Sequence, residues 1–180
     1  MKYFYLIAGA NGSGKTTFAK ELLDKYPDLC FLNSDEIAKE IDDNMGLRSG
    51  KELLQKLDNY IHKNKQIVME STISGNYHYR VLDRVHQAGY SSILCYIFLD
   101  LVELNINRIQ NRVFLGGHNV PKDDIIRRYS RSIKSFWETK ERVNKWILYH
   151  NINNTFEKIA FGNDEKEVLN NDVFELFKEL

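Results

Sequence analysis

The stretch Gly9-Ala10-Asn11-Gly12-Ser13-Gly14-Lys15-Thr16-Thr17 follows the apolar run YFYLIA at residues 3–8 and leads into TTFAKELLDKY, a segment of helical composition. Gly9, Gly14, Lys15 and Thr16 fill every fixed position of the pattern G-x-x-x-x-G-K-[ST]. Glycines let the backbone turn its N–H groups inward, and a helix starting at once behind them adds the positive end of its dipole. In such a loop the lysine reaches the β and γ phosphates of a nucleoside triphosphate, and the threonine hydroxyl can hold Mg2+. The alternative reading is a tight turn with a surface lysine. A complete match between a strand and a helix favours the phosphate.

Outward from the loop, short apolar runs alternate with segments of helical period. The runs are YFYLIA, CFLN at 30–33, QIVME at 66–70, SILCYIFL at 92–99 and WILYHN at 146–151. Their continuous apolar character predicts strands covered on both faces, as in a parallel sheet. In GKELLQKLDNYIHK, residues Leu53, Leu54, Leu57, Tyr60 and Ile61 form a stripe suited to cover such a sheet. The expected fold class is α/β, a three-layer sandwich built on about five parallel strands with helices on both sides. The helix DDIIRRYSRSIKSFWETKERV presents Ile125, Ile126, Tyr129, Ile133, Phe136 and Trp137 as its apolar face. The end of the chain reads as a hairpin turning at 162–164 and a closing helix capped near Asn171 or Asp172, with no chemistry of its own.

At 180 residues, 43% hydrophobic and 28% charged, the chain suits one domain spanning 1–180. Its 25 basic and 25 acidic residues cancel, so no overall field draws it to nucleic acid or an anionic membrane. Cys30 and Cys95 lie in strand-like runs without C-x-x-C spacing and read as buried thiols. With no signal sequence and no apolar run near eighteen residues, a cytoplasmic location is expected.

Catalytic groups of an α/β sheet gather at the carboxyl ends of its strands. Asp35, in NSDEIAK, follows the second strand and is the candidate for orienting an acceptor hydroxyl and taking its proton. The alternative is that Ser34 or Asp35 caps the next helix. Glu70, with Thr72 and Ser74 just beyond it in ESTIS, ends the third strand; it suits magnesium or the acceptor. Arg108 and Arg112 stand one turn apart in NRIQNR, while Arg127, Arg128 and Arg131 crowd IIRRYSRS, with GGHNVP, including His118, between. Arginines flanking a glycine hinge read as a lid over about 105–135 that stabilises charge on the transferring phosphoryl group and excludes water. Solvated helix faces are the competing reading. A base-reading Asn-Lys-x-Asp motif is absent, and FLGGHNVP lacks the serine and glutamine of an ABC signature.

AGANGSGKTTFAKEL, NSDEIAKE, ESTISG, AGY, ELNINRIQNRVFLGGHNVP and DIIRRYSRS together resemble the zeta-toxin family of P-loop kinases, particularly its short stand-alone members, from residue 7 to about 136. The resemblance implies an ATP-dependent kinase acting on the sugar hydroxyl of UDP-N-acetylglucosamine, and an antitoxin partner. It assigns Lys15 and Thr16 to the nucleotide and magnesium site; beside it, the residues themselves give Gly9–Thr17 with Arg108 as the expected ATP contacts and Thr16 with Glu70 as the expected Mg2+ ligands. Asp35 becomes the base, and Lys15, Arg112 and Arg128 stabilise transfer. Glu70 matches the acidic residue of the acceptor side, where Thr72, Ser74, His118 and Arg131 are further candidates for contact. The chain lacks the extra segments of the large toxins. A nucleic-acid end kinase, which needs stacking aromatics beside a basic groove and is kept open by RRYSRS next to SFW although Tyr129, Phe136 and Trp137 fall on the apolar helix face, and a non-catalytic nucleotide-binding partner are the alternatives.

Overall fold

The computed structural model describes residues 1–40, 47–117, 119–163 and 165–180, apart from the side chains of residues 35, 39, 40 and 47. Its strands are β1 (Lys2–Ala8), β2 (Cys30–Asn33), β3 (Ile67–Ser71), β4 (Tyr90–Phe98), β5 (Lys145–Ile152), β6 (Thr155–Gly162) and β7 (Lys166–Val168). The helices are α1 (Lys15–Lys25), α2 (Ser34–Glu40), α3 (Leu47–His62), α4 (Tyr77–Gln87), α5 (Val102–Phe114), α6 (Lys122–Thr139) and α7 (Asn171–Glu179). All the strands share one sheet in the order β2-β3-β1-β4-β5-β6-β7.

The five expected runs form the parallel portion of the sheet, β2, β3, β1, β4 and β5. β6 and β7 add antiparallel to its edge as the expected C-terminal hairpin, turning just after Gly162, so the sheet continues past the five parallel strands to seven. Asn153 and Asn154, both at positive φ (51° and 66°), make the tight turn between β5 and β6. Two consecutive left-handed residues match the twist of a hairpin, and asparagine tolerates that conformation. The Asn-Asn pair was the available signal for this hairpin.

Side chains alternate across β1. Phe4, Leu6 and Ala8 enter a large core with Leu53 and Leu57 of α3, Val81 and Val85 of α4, Phe136 of α6 and Phe177 of α7. Ile7, flanked by half-buried Tyr5, faces the opposite side, where Ala19, Phe18 and Leu22 of α1 cover it. A strand sealed on both faces must be apolar at every position, which explains the unbroken runs. Alpha-helices α5 and α6 meet through a third cluster of Ile106, Ile109, Val120 and Ile125.

The α3 stripe packs as its spacing demands. Ile126 departs from the expected α6 face and is 40% exposed, since the core side of that helix is filled by Ile125, Tyr129, Ile133 and Phe136. Asn170, rather than Asn171 or Asp172, caps α7 by accepting from the Val173 N–H at 3.2 Å. Cys95 is buried, whereas Cys30 on the edge strand is half-buried. Among the described residues, no helix is long and apolar enough to cross a membrane.

Candidate nucleotide site at the carboxyl ends of the strands

The register of the sheet dictates what meets at its open end. Ile7 of β1, Glu70 of β3 and Asn33 of β2 are mutual partners, so their side chains share a face. It is the face on which Val68, two residues before Glu70, packs against α1. Glu70 therefore points at the first turn of that helix. The Thr16 hydroxyl lies 3.1 Å from both Glu70 carboxylate oxygens, and Asn33 Nδ2 donates to Glu70 Oε2 at 3.0 Å. Asn33 Oδ1 also accepts from the Glu36 N–H at 3.4 Å, so the capping of α2 is supplied one residue before Ser34.

Between β1 and α1 the loop rises over this carboxylate. Gly9 (φ 145°), Gly12 (φ 80°) and Gly14 (φ 101°) all occupy the left-handed half of conformational space that side chains rarely adopt. A Cβ on Gly9 would also strike the Ile97 carbonyl of neighbouring β4. Gly14 caps α1, and Lys15, buried at its first position, donates to the Ala10 carbonyl at 2.8 Å. Gly9, Ala10 and Ser13 thus shape the loop from behind, while Asn11, Gly12, Gly14, Lys15, Thr16 and Thr17 face a cleft of about 950 Å³.

The opposite wall carries Ser49, Thr72, Ser74, Tyr77 and His78, with Arg108, Arg112 and Arg128 at its rim. The Thr72 and Ser74 hydroxyls are 2.9 Å apart. Ile73 between them is buried at φ 46°, a strained conformation for a β-branched residue that turns its neighbours toward the cleft. His78 is buried, its Nε2 3.0 Å from the Thr139 hydroxyl, and burial lowers its pKa to about 4. Its imidazole is therefore neutral at physiological pH.

Of the lid arginines, half-buried Arg108 has a buried Nη1 with no hydrogen-bond partner, and burial lowers its pKa. A buried guanidinium nitrogen in that position fits an anion. Arg128 Nη2 lies 3.9 Å from Asp124, which is held more closely by exposed Arg127 at 2.6 Å. Arg131 is exposed and does not line the cleft. His118 and the Asp35 side chain lie outside the described residues; the Asp35 backbone sits in the first turn of α2, directly after β2.

Phe156 of β6 packs edge-on to Phe18 of α1, and Asn154 lines the cleft. The aromatic residues of α6 belong to the interior, as the apolar face of that helix predicts: Tyr129 and Phe136 are buried and Trp137 packs on Phe174 and Phe177. For a nucleotide and Mg2+ the donor set fits, with glycines in a cradle that side chains would fill and hard oxygen ligands on Thr16 and Glu70.

A phosphate-binding loop between β1 and α1, on a parallel sheet of order 2-3-1-4-5, defines an α/β P-loop protein. A family model described as an AAA domain matches residues 5–124, and the chain belongs to that family. It is 31% identical over 125 residues to an uncharacterized protein of Haemophilus influenzae, covering 67% of this chain and 88% of the relative. Among solved structures it is similar to one of the PezAT chromosomal toxin-antitoxin system of Streptococcus pneumoniae (14% identity, TM-score 0.70, 99% of this chain and 79% of that one). An AvrRxo1-ORF1:-ORF2 structure with ATP gives 15% identity and a TM-score of 0.74, and this chain, matched over 97%, covers 62% of that longer one. The Pnkp1/Rnl/Hen1 RNA repair complex follows at 19% identity and 0.61, over 76% of this chain and 46% of that one. At these identities the likeness is one of fold.

Proposed function

We propose that the protein is an ATP-dependent phosphotransferase that moves the γ-phosphoryl group to a hydroxyl acceptor, with a nucleotide sugar such as UDP-N-acetylglucosamine as the first substrate to test. The observation that carries the reading is the two-sided cleft. One side is the phosphate loop with Thr16 bound to Glu70; the other is lined by hydroxyl groups and rimmed by Arg108, Arg112 and Arg128. A volume of about 950 Å³, at the upper end for small-molecule sites, supports a cleft that takes a nucleotide and an acceptor together.

In this reading Lys15 leaves the Ala10 carbonyl for the β and γ phosphates. Mg2+, held by Thr16 and Glu70, would neutralise charge on the phosphate oxygens. Asp35, directly after β2 at the open end of the sheet, takes the proton of the acceptor hydroxyl. Thr72, Ser74 and His78 orient the acceptor. Residues 105–135 act as the lid, bringing Arg112 and Arg128 over the transferring group, and one domain of 1–180 contains the whole site. The likeness to a toxin-antitoxin structure supports two further elements of the proposal, a zeta-toxin-like subgroup and an inhibitory protein partner. Such an enzyme would work in the cytoplasm, where ATP is available.

The test is ATP consumption with magnesium by wild type, Lys15→Ala and Asp35→Asn, with and without UDP-N-acetylglucosamine and other hydroxyl acceptors, with products identified by mass spectrometry. A phosphorylated acceptor made by wild type is expected. Lys15→Ala should lose transfer and weaken ATP binding. Asp35→Asn should bind ATP and lose transfer by roughly a hundred- to ten-thousandfold. Tight ATP binding with no acceptor-dependent turnover for any hydroxyl compound would refute the phosphotransferase and leave a non-catalytic nucleotide-binding protein.

A further inference from the structure

The backbone carbonyls of the phosphate loop are tied down by side chains from distant parts of the chain. Asn105 of α5, fully buried, donates from Nδ2 to the Asn11 carbonyl at 2.7 Å across 94 residues. Asn151 of β5, also buried, donates from Nδ2 to the Ser13 carbonyl at 2.7 Å across 138 residues. Asn151 is itself fixed, because its Oδ1 accepts from the Asn154 N–H at 2.9 Å.

In a planar trans peptide the C=O and N–H point in opposite directions. Holding the Asn11 carbonyl outward therefore turns the Gly12 N–H inward, and holding the Ser13 carbonyl turns the Gly14 N–H inward. Both glycines line the cleft. They are also pressed against the residues that hold their neighbours. A Cβ on Gly12 would come within 2.7 Å of the Asn105 backbone oxygen, and one on Gly14 would collide with Asn151 Nδ2. The glycines therefore serve two ends here, the left-handed turn and the approach of each asparagine.

Resting on the reading of this loop as a phosphate site, we infer that Asn105 and Asn151 are positioning residues that preset the anion-binding peptide planes. A loop without them would have to rotate two peptides when the ligand arrives, and preorganised donors avoid that reorganisation. Asn105 does more than its partner. It shares a face of α5 with Arg108 and Arg112, three and seven residues on, so those arginines begin about 4.5 Å and 10.5 Å along the helix from the loop contact. The Asn105 bond thus sets the register between lid and phosphate loop.

The experiment uses inorganic pyrophosphate and 15N-labelled full-length protein. In wild type, the Gly12 and Gly14 amide resonances should both shift on titration. Asn105→Ala should weaken binding about tenfold, the size of one lost hydrogen bond, and remove the Gly12 response while the Gly14 response persists; Asn151→Ala should do the converse. A general loss of stability would not sort the two amides in this way. Where an alanine variant does not fold, the wild-type spectra decide through exchange of the asparagine side-chain amide protons. Slow exchange of both, before and after pyrophosphate, supports the inference, and exchange as fast as that of a surface asparagine overturns it. Variants that bind like wild type with both responses intact overturn the inference alone. A wild type that leaves both glycine amides unmoved overturns the phosphate-site reading and this inference with it.

Discussion

Thr16 of α1 and Glu70 of β3 are joined at their side chains, the threonine hydroxyl 3.1 Å from each carboxylate oxygen. This pair stands where the phosphate loop enters its helix, so a cation bound there would be held by both. Replacing either oxygen ligand should act through the metal before it acts on ATP itself. Thr16→Val and Glu70→Gln are each expected to raise the magnesium concentration needed for half-maximal turnover by roughly 10- to 100-fold. A magnesium titration at saturating ATP measures this, and an unchanged midpoint for both variants excludes the pair as the metal site.

The arginines of α5 and α6 separate by position. Arg112 and Arg128 line the cleft, whereas Arg131 does not. Arg112→Ala and Arg128→Ala should lower the turnover number by roughly a thousandfold where the guanidinium stabilises the transferring group. Arg131→Ala should turn over like wild type. A large loss at Arg131 with none at the other two would reverse the assignment of the lid.

His78 makes stability depend on acidity. Burial lowers its folded-state pKa from 6.5 to about 4, so between those values the unfolded chain takes up a proton that the folded chain refuses. Stability is full above about pH 6.5, falls as pH drops, and stops falling near pH 4, the loss amounting to about 3 kcal/mol. His78→Leu should flatten this segment of the curve. Denaturant melts from pH 7 to pH 4 provide the check; equal slopes for the two proteins would show that other groups carry the acid sensitivity.

The thiols should differ in reactivity. Burial pushes Cys95 up to about 12, leaving on the order of one part in ten thousand as thiolate at pH 8. Native-state alkylation read by peptide mass spectrometry should therefore label half-buried Cys30 first, with Cys95 modified only on unfolding. Rapid modification of Cys95 in the folded protein would contradict its packing against Ile7 and Ile97.

Residues whose roles depend on near neighbours are legible in the sequence. The left-handed glycines, Lys15 at the start of α1 and Glu70 at the end of β3 follow from the order of strand, turn and helix. The α3 stripe likewise follows from helical period. Two equivalent local patterns are not separable in the sequence. Arg128 and Arg131 both sit in IIRRYSRS, and only the packing of α6 on the sheet and on α5 brings one to the cleft and leaves the other in solvent. Ile126 beside Ile125 is the same case on the apolar side, since the stripe had room for one of them.

The sequence by itself determined the phosphate loop, the five parallel strands and the strand end that carries Glu70, because backbone geometry ties each to residues a few positions away. The tertiary structure alone decided that Asn105 and Asn151 hold the loop, that Asn33 supports Glu70, and that β6 brings Phe156 against α1. An asparagine has no period or motif to announce its partner. Its meaning comes from the strand order, which sets side by side the ends of segments that lie a hundred residues or so apart along the chain.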